Sequence, residues 1–440
     1  MHRLPIDFTK KKISPWGGIH LFQGIYEKFG LRKLLQSLKL PKPGSNRGYS
    51  PVEVIESFLV SVVLGSKRLA HSGMLRSDEV IKDIFKWDKG CPSASTFSRF
   101  FQRFTKERND DIFPKIQRSV FDQVKIKKMT IDIDSTVITR FGNQEHAVKG
   151  YNPEKKGKPS HHPLLAFCDD MKMVVNAWMR TGDSHSNTDM DGFIDELFEI
   201  IDRSRIGMLR MDSGFYSDLI MTKLESYQTS VEYIIKARMT QKLRASIYSI
   251  QDWHSPSDKG YDYSEVYYKA TGWKEARRMV ITRKLKKNID TENTSTELFK
   301  ELVETESYDY YAFVTNTTQS CSLVHQIYNK RGECENIIKE LKYDYSIDGF
   351  ALRGFYPMEA AFRLIMLAYN VMVIFKQSLI NSKHSHRLTT IKFQCIAIGS
   401  YIVKNGRNKM LKLSAEGKRR HFLENIFEKV EALPLNFSIS

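Results

Sequence analysis

An alternating pattern of apolar and polar residues that begins at Met129 constrains the fold of this chain more than any other feature. In the run MTIDIDSTVI the apolar residues recur at every second position, which is the period of a β-strand with one buried face. The run carries aspartates, and burying a carboxylate in a strand is costly unless it is paired or bound to a cation. Further strand-like runs follow at 162–168, 173–179 and 206–211, with a helical stretch at 190–201. The pattern predicts a mixed α/β sheet.

The predicted secondary structure divides the rest of the chain into segments on either side of this sheet. Residues 1–125 read as helices, with amphipathic spacing in PVEVIESFLVSVVLG and a helix that starts near Ser95. Strand-like runs return between 230 and 316, and residues 323–345 and 358–380 read as helices again. We therefore expect five segments: a helical N-terminal region (1–125), a first part of the α/β core (126–228), a β-rich insertion (229–318), a second, helical part of the core (319–380) and a basic helical C-terminal region (381–440).

The charge of the chain indicates a class of partner. Among 440 residues, 68 Lys and Arg stand against 51 Asp and Glu, which gives a formal net charge of +17. Such an excess suits a polyanion such as nucleic acid, although charge alone is a weak signal. Seven cations fall close together near the C-terminus, where a DNA contact and a solvated basic face are both open interpretations: Lys404, Arg407, Lys409, Lys412, Lys418, Arg419 and Arg420.

Membrane and secretory classes are not supported. The most apolar run, residues 360–375, is too short to span a bilayer and is interrupted by Arg363, so a buried helix is expected there. The N-terminal MHRLPIDFTKKK lacks the apolar stretch of a signal peptide. The five cysteines are scattered and form no CxxC pair, which supports neither a disulfide framework nor a zinc site. We expect a cytoplasmic protein.

Three acidic residues stand out by their positions. Asp134 lies in the first strand of the α/β segment, Asp212 ends a later strand just before Ser-Gly, and Glu335 lies on the helix after the strand-rich segment. Sites form at strand ends in open α/β sheets. Two aspartates and a glutamate from separate elements make a set of hard oxygen ligands suited to Mg²⁺. Composition alone could not select these three from the 51 acidic residues.

The sequence around Glu335 narrows the choice. At about 100° per residue on one helix, Tyr328, Arg331, Glu335 and Lys342 fall within one narrow stripe. The neighbouring face is apolar, and it carries Ile327, Cys334, Ile337, Ile338 and Leu341. One face can therefore pack on a sheet while the next presents a hydroxyl, two cations and a carboxylate. Such a face suits a metal beside phosphates, but the spacing alone also fits an exposed helix with ordinary charges.

These residues carry a resemblance to a known family. The intervals of two, three and six residues between Tyr328, Arg331, Glu335 and Lys342 match the Y-(2)-R-(3)-E-(6)-K signature of bacterial insertion-sequence transposases of the DDE type. The sequence DSGF from Asp212 resembles the context of that family's second aspartate, and Asp134-Ser-Thr resembles the context of the first. Residues 141–165, FGNQEHAVKGYNPEKKGKPSHHPLL, resemble a subgroup with a G-x-Q-x-x-x-x-x-G-Y-N-P run. The resemblance covers roughly residues 10–415.

The resemblance implies a fold and a chemistry. It implies an RNase H-like catalytic core interrupted by the β-rich insertion, with helical N- and C-terminal regions, of which the first has a DNA-binding or assembly role. Asp134, Asp212 and Glu335 would bind two Mg²⁺ ions, for which Mn²⁺ can substitute, and Tyr328, Arg331 and Lys342 would contact DNA phosphates. The protein would bind the terminal inverted repeats of its insertion sequence as a homodimer in a synaptic complex. It would cleave the ends by hydrolysis and join the 3′-hydroxyls to target DNA, in the cytoplasm of a bacterium and associated with its nucleoid.

Two alternatives and several residues stay open at this level. The same core could belong to a nuclease that cuts without joining, or to a catalytically silent DNA-binding protein derived from a transposase. Asp132 shares a strand face with Asp134 and is either a supporting or a structural acid. Hairpin-forming relatives use a tryptophan of the insertion to stack a base, for which Trp253 and Trp273 are candidates, and a core position is the alternative for both. Three histidines are of a residue type that binds zinc, but Mg²⁺ prefers oxygen ligands to imidazole: His161, His162 and His185.

Overall fold

The computed structural model describes residues 4–45, 47–226, 231–256, 260–286, 307–379, 387–406 and 408–433. After a short strand, β1 (Ile13–Ser14), the N-terminal region is helical. Side-chain caps define several of these starts, because Asp78, Ser93 and Thr105 each accept a backbone N–H from the first turn that follows. The helices are α1 (Ile19–Lys28), α2 (Leu31–Ser37), α3 (Pro51–Val63), α4 (Glu79–Phe85), α5 (Ala94–Phe101) and α6 (Lys106–Asp122).

A mixed sheet with its connecting helices follows. Its strands and helices are, in chain order, β2 (Met129–Ser135), β3 (Ile138–Thr139), β4 (Val148–Lys149), β5 (Pro159–His161), β6 (Leu164–Cys168), β7 (Met173–Trp178), α7 (Met190–Ile200), β8 (Ile206–Met211), α8 (Asp218–Glu225), β9 (Glu232–Lys236), α9 (Gln241–Tyr248), β10 (Asp262–Tyr268), β11 (Arg277–Leu285) and β12 (Tyr308–Thr315). Eight of these strands form one sheet in the order β10–β11–β12–β9–β8–β2–β6–β7, and β3, β5 and β4 form a small second sheet.

The direction of the strands identifies the core. β7, β6 and β2 are antiparallel neighbours, whereas β2, β8 and β9 run parallel. Three antiparallel strands followed by two parallel ones, with α7 crossing from β7 to β8, is the arrangement of an RNase H-like core. Every residue of β6 is buried, so both faces of the sheet are covered there. The helices and the mixed sheet confirm the predicted α/β fold class.

The strand-rich segment is continuous with the core sheet. β12 pairs antiparallel with β9, and β10 and β11 extend the same sheet outward. The predicted insertion began at residue 229 and so included β9, but β9 pairs parallel with β8 and belongs to the core. The alternation of VEYIIKAR predicted a strand but carried no information about its partner. The boundary itself and residues 287–306 of the predicted insertion lie outside the described residues.

Two helices replace the single helix expected over 323–345. They are α10 (Cys321–Asn329) and α11 (Gly332–Tyr343). Between them the N–H of Arg331 donates to the Tyr328 carbonyl and the N–H of Cys334 donates to the Arg331 carbonyl, which tightens the chain to a three-residue spacing. Next comes a long helix, α12 (Phe355–Leu379). Among the described residues its stretch Phe355–Gln377 is the one helix long and apolar enough by composition to cross a membrane, and that stretch is buried within the protein.

The C-terminal region, expected to be helical, also contains a β-hairpin. A short helix, α13 (Leu388–Ile391), leads to β13 (Ser400–Asn405) and β14 (Asn408–Leu413), and α14 (Gly417–Ala432) follows. β13 also pairs with β1, through Ile13 with Tyr401 and Ser14 with Ser400. Short basic strands resemble helix surfaces in composition, and the partner strand lies at the other end of the chain, so local pattern could not reveal the pairing. The predicted boundary at 380/381 and residues 434–440 lie outside the described residues.

Candidate active site

The sheet places Asp134 and Asp212 side by side. In the parallel pair β2 and β8, Asp132 stands opposite Arg210 and Ile133 opposite Met211, so the next step along both strands brings the two aspartates together. Asp212 lies just after β8 and caps the following turn, since its Oδ1 accepts the N–H of Gly214 at 2.8 Å. A Cβ atom on Gly214 would lie 2.5 Å from the Ser186 hydroxyl and 2.9 Å from that Oδ1, so a larger residue there would displace these side chains. Both carboxylates occupy the carboxyl edge of the sheet.

Asp134 is held by residues from the helical segment. Its Oδ1 lies 3.1 Å from Nη2 of Arg331 and accepts the N–H of Ser135 at 2.8 Å, and its Oδ2 lies 3.4 Å from Sγ of Cys334. Burial raises the pKa of the Asp134 carboxyl; the guanidinium of Arg331 opposes this shift, and the neighbouring Asp212 carboxylate adds to it. The pair of aspartates is thus a concentration of like charge that one arginine partly offsets.

Arg331 and Tyr328 face the two aspartates rather than open solvent. Arg331 is buried, and its Nε has no hydrogen-bond partner among the described residues. Burial raises the pKa of Tyr328 to about 12, an effect that Arg331 opposes and that both aspartates reinforce. Its hydroxyl is therefore protonated at neutral pH and available as a donor. The Tyr328 ring lies against Phe313, with ring centroids 4.7 Å apart, which fixes its orientation from the sheet side.

The other two residues of the predicted stripe lie further out. Glu335 is exposed on the first turns of α11, one helical turn beyond Arg331. Among the described residues, no set of three His, Cys, Asp or Glu side chains is placed to hold a metal ion. The structure therefore brings together two of the three predicted metal ligands and leaves the third, Glu335, exposed on α11. Lys342, at the far end of α11, pairs instead with Glu154 at 3.2 Å.

The donor set nevertheless fits a divalent cation. Two partly buried carboxylates lie at the ends of neighbouring parallel strands, and the Asp212 carboxylate adds to the rise that burial causes in the pKa of Asp134. Carboxylate oxygens are the ligands that Mg²⁺ prefers. The adjacent Arg331 has an unpartnered buried Nε, an orphaned donor of the kind a phosphate oxygen would satisfy. The tight spacing after Arg331 turns Cys334 toward Asp134, a contact that the sequence pattern missed because it placed Cys334 on the packing face.

Asp132 has a different surrounding from Asp134. Its two carboxylate oxygens accept hydrogen bonds from Nε and Nη2 of Arg210 at 2.6 and 2.7 Å, and both side chains are only 1% exposed. Arg210 also reaches Oδ2 of Asp169 at 2.9 Å and the carbonyl of Ile327 in α10 at 2.6 Å. Burial works against the charge of Arg210, but the two aspartates raise its pKa overall. Arg210 thereby ties β2 and β8 to the helix that precedes Arg331.

The sequence carries one signal for the role of Arg210. An arginine inside the otherwise apolar strand IGMLRM must be paired if the strand is buried. Asp132, two residues before Asp134 on a neighbouring strand, was the available partner. Asp132 is therefore a structural acid, one of the two possibilities left open by the sequence.

The tryptophan and histidine candidates lie in other surroundings. Trp273 is 9% exposed and lies against Tyr216 and Tyr268, which is a core position. Trp253 is half-buried, its indole N–H donates to the Ile250 carbonyl at 3.1 Å, and the Arg283 guanidinium lies 4.2 Å from its ring centroid.

His161 has both ring nitrogens engaged. Its Nδ1 accepts from Arg140 at 3.1 Å and its Nε2 donates to the Glu145 carbonyl at 2.9 Å. Burial lowers the pKa of His161 to about 4. His162 is buried beside it and His185 lies in the loop that follows β7. Among the described residues these histidines form no metal-binding group.

Comparisons with known proteins complete this description. The family model for transposase DDE domain group 1 matches residues 1–435. No protein of curated function matches the chain in sequence. One similar solved structure is the cryo-EM structure of the piggyBac transposase synaptic complex with hairpin DNA. It is 11% identical in sequence, and the alignment covers 88% of this chain and 81% of that chain with a TM-score of 0.45.

Proposed function

Because the chain belongs to the DDE transposase family, we propose that it is the transposase of an insertion sequence. It binds the terminal inverted repeats of that element, hydrolyses a phosphodiester bond at each end and joins the freed 3′-hydroxyls to target DNA. The observation that carries this proposal is the meeting of Asp134 and Asp212 at the carboxyl edge of an RNase H-like sheet, with Arg331 and Tyr328 against them.

Asp134, Asp212 and Glu335 are the proposed ligands of two Mg²⁺ ions, with Mn²⁺ able to substitute. When bound, such a pair supplies the electrostatic stabilisation that phosphodiester hydrolysis and strand transfer require. Asp134 and Asp212 provide their carboxylates from fixed backbone positions, because each lies at the end of a paired strand. Glu335 contributes its carboxylate from an exposed position in the first turn of α11, one helical turn beyond Arg331.

The neighbouring residues orient the DNA. In the absence of substrate, Arg331 forms an ion pair with Asp134. Its buried Nε–H has no hydrogen-bond partner among the described residues and can donate to a phosphate oxygen. The protonated Tyr328 hydroxyl donates to a second phosphate oxygen. Lys342 exchanges its exposed partner Glu154 for a phosphate further along the strand. These three contacts fix the scissile bond relative to the carboxylates.

The partners, the oligomeric state and the cellular setting that we propose follow from the same family membership. The partners are double-stranded DNA with the element's terminal repeats and a target duplex, held by a homodimer in a synaptic complex. The setting is the cytoplasm of a bacterium, on its nucleoid. The N-terminal helices and the basic C-terminal region contribute DNA-binding and assembly surfaces outside the core.

A cleavage assay on a duplex that carries the element's own ends tests the proposal. Wild type is compared with Asp134→Asn, Asp212→Asn and Glu335→Gln in Mg²⁺, Mn²⁺, Ca²⁺ or EDTA. Each variant should still bind the duplex but should cut at least about a thousandfold more slowly, because removing a ligand forfeits several kcal/mol of transition-state stabilisation. The matched control is Glu333→Gln, which removes an exposed carboxylate from the same helix and should cut like wild type.

The alternatives have their own outcomes in this assay. Wild type that nicks the ends in Mg²⁺ but never joins them to target DNA would be a nuclease. Wild type that binds the ends and never cuts would be a catalytically silent DNA-binding protein. Cutting that survives the loss of one acid would remove that acid from the site.

A further inference from the structure

A long excursion leaves the sheet at the edge where the two aspartates lie. β2 ends at Ser135, just past Asp134, and β6 begins at Leu164, so residues 136–163 start and finish at that edge. The excursion carries the small sheet β3–β5–β4. A simple hairpin would connect two antiparallel neighbours such as β2 and β6, so the additional chain is not needed for the core. We call residues 141–158 of this excursion the basic loop.

The excursion is anchored to the core on its inner side. Arg140 is buried, and it donates to the Asp348 carbonyl at 2.9 Å and to His161 at 3.1 Å. Glu145 accepts the N–H of Phe355 at 2.8 Å, and its own N–H donates to the Arg353 carbonyl at 2.9 Å. The basic loop is therefore fixed to the segment between α11 and α12, which directly follows the helix that carries Glu335.

The backbone around Tyr151 is fixed while its side chain is not covered. A Cβ atom on Gly150 would lie 1.9 Å from the Gly182 carbonyl oxygen, so these two backbones touch. Asn152 is buried; its Nδ2 donates to Thr139 at 3.0 Å and its Oδ1 accepts the N–H of Lys155 at 2.9 Å. Between these two anchors the Tyr151 side chain is 77% exposed. An aromatic ring held out from a rigid backbone loses little entropy when it binds.

The charge of the basic loop is not compensated on its outer side. Of its two glutamates, Glu145 is engaged by the N–H of Phe355 and Glu154 by Lys342. Four exposed lysines have no carboxylate within ion-pair distance among the described residues: Lys149, Lys155, Lys156 and Lys158. The Lys155 ammonium lies 4.6 Å from the ring centroid of Phe141, which is itself exposed. Lysines interleaved with exposed aromatic rings are typical of surfaces that follow a nucleic-acid strand.

We propose that the basic loop binds the DNA strand that continues past the scissile phosphate. Lys155, Lys156 and Lys158 neutralise successive phosphates, and the Tyr151 ring lies against a nucleoside between them. The pairing of Glu154 with Lys342 connects this surface to the far end of α11, so one strand can pass from the two aspartates along α11 to the loop. This inference rests on the proposed function, because it assigns a second contact region to the same DNA substrate.

Two lysine triplets at opposite ends of β2 give a matched comparison. The test variant is Lys155→Gln, Lys156→Gln and Lys158→Gln together. The control is Lys125→Gln, Lys127→Gln and Lys128→Gln together, which removes the same charge from exposed lysines between the end of α6 and the start of β2, outside the N-terminal helices and at the edge away from Asp134. Fluorescence anisotropy with a duplex that carries the element's end measures affinity from 50 to 200 mM salt.

The two triplets should differ in salt dependence. Each lost phosphate contact lowers the slope of log K against log salt by about 0.9, so the test variant should lose about 2 to 3 units of slope and bind about tenfold more weakly at low salt. The control should keep the wild-type slope. Thermal unfolding should be unchanged for both, because all six side chains are exposed.

Tyr151 supplies a second measurement that is independent of charge. Tyr151→Ala should weaken binding several-fold at every salt concentration without changing the slope, and Tyr151→Phe should restore it, because stacking needs only the ring. Equal slopes for the two lysine triplets, or a Tyr151→Ala variant that binds like wild type, would overturn the inference. Wild type that does not bind the duplex at all would instead refute the proposed function, so the two failures are distinguishable.

Discussion

Two neighbouring register positions on the same pair of strands have opposite electrostatic character. At the inner position Asp132 faces Arg210, and both side chains are 1% exposed. At the outer position Asp134 faces Asp212, Asp134 is 13% exposed, and the offsetting cation, Arg331, comes from a helical segment rather than from the sheet. The paired, buried position and the partly exposed position are only two residues apart on each strand.

The difference in burial gives the two positions different roles, the inner one in stability and the outer one in the proposed chemistry. A charged side chain in the interior needs an oppositely charged partner beside it, because an unpaired buried ion costs several kcal/mol. A charge at the sheet edge can be left under-compensated, because water, a proton or a bound cation can reach it. The inner pair therefore stabilises the position of α10 through the Ile327 carbonyl, while the outer pair is the one that we propose as a cation site.

The largest expected effect on stability comes from breaking the inner pair. Arg210→Met leaves Asp132 buried without a cation and should lower the free energy of unfolding by about 3–5 kcal/mol. Urea unfolding followed by circular dichroism measures it. Replacing both partners, Asp132→Leu with Arg210→Met, should recover much of the loss because no isolated charge remains.

The outer position provides the matched variant for that measurement. Arg331→Met should lower the free energy of unfolding by no more than about 2 kcal/mol, because Asp134 at the edge can take up a proton or meet water. A stability loss as large as that of Arg210→Met would show that the inner and outer positions are equally inaccessible to water and protons.

Glu359 separates the effect of burial from that of pairing. It is a buried carboxylate of α12 that, within the described part of the chain, accepts hydrogen bonds from two neutral donors, Nδ2 of Asn109 at 2.9 Å and the N–H of Met179 at 3.2 Å. Burial raises its pKa from 4.5 to about 7, although both donors oppose the shift. The native state thus binds this proton more tightly than the unfolded state. Ionisation of the buried Glu359 carboxyl therefore lowers the free energy of unfolding. This loss of stability is absent below pH 4.5, grows as the pH rises to about 7, and is complete above that.

Glu359→Gln should therefore stabilise the protein at pH 8 by about 2 kcal/mol, after allowance for the hydrogen bond that the amide loses. Unfolding curves at pH 8 and near pH 4.5 measure the change, and the advantage should vanish at the lower pH. An equal effect at both pH values would mean that packing rather than protonation is responsible.

The smallest expected effect concerns an exposed pair. Glu154→Gln removes the partner of Lys342, but Glu154 is 64% exposed, so the free energy of unfolding should change by less than about 1 kcal/mol. DNA affinity at low salt should rise slightly, because a competing carboxylate is gone from beside a phosphate-binding lysine. Weaker DNA binding in this variant would place Glu154, rather than Lys342, in contact with the substrate.

The family assignment followed from local spacing in the sequence. The intervals that join Tyr328, Arg331, Glu335 and Lys342 predicted a DDE transposase, and the family model confirms that prediction. The strands β2, β6, β7 and β8 also lie close to the runs that the alternation indicated. The identities of the metal ligands and of the DNA-contacting residues remain predictions.

What the sequence determined by itself was the family and the type of element in the N-terminal region and the central sheet, but not the break between α10 and α11 or the C-terminal hairpin. Period and spacing are local properties, and a few neighbouring residues are enough to express them. Only the tertiary structure decided that β9 belongs to the core, that β1 pairs with β13 and that Asp132 is neutralised by Arg210. These outcomes depend on contacts between residues far apart in the chain. A strand's pattern shows which face is buried but not which strand will lie beside it.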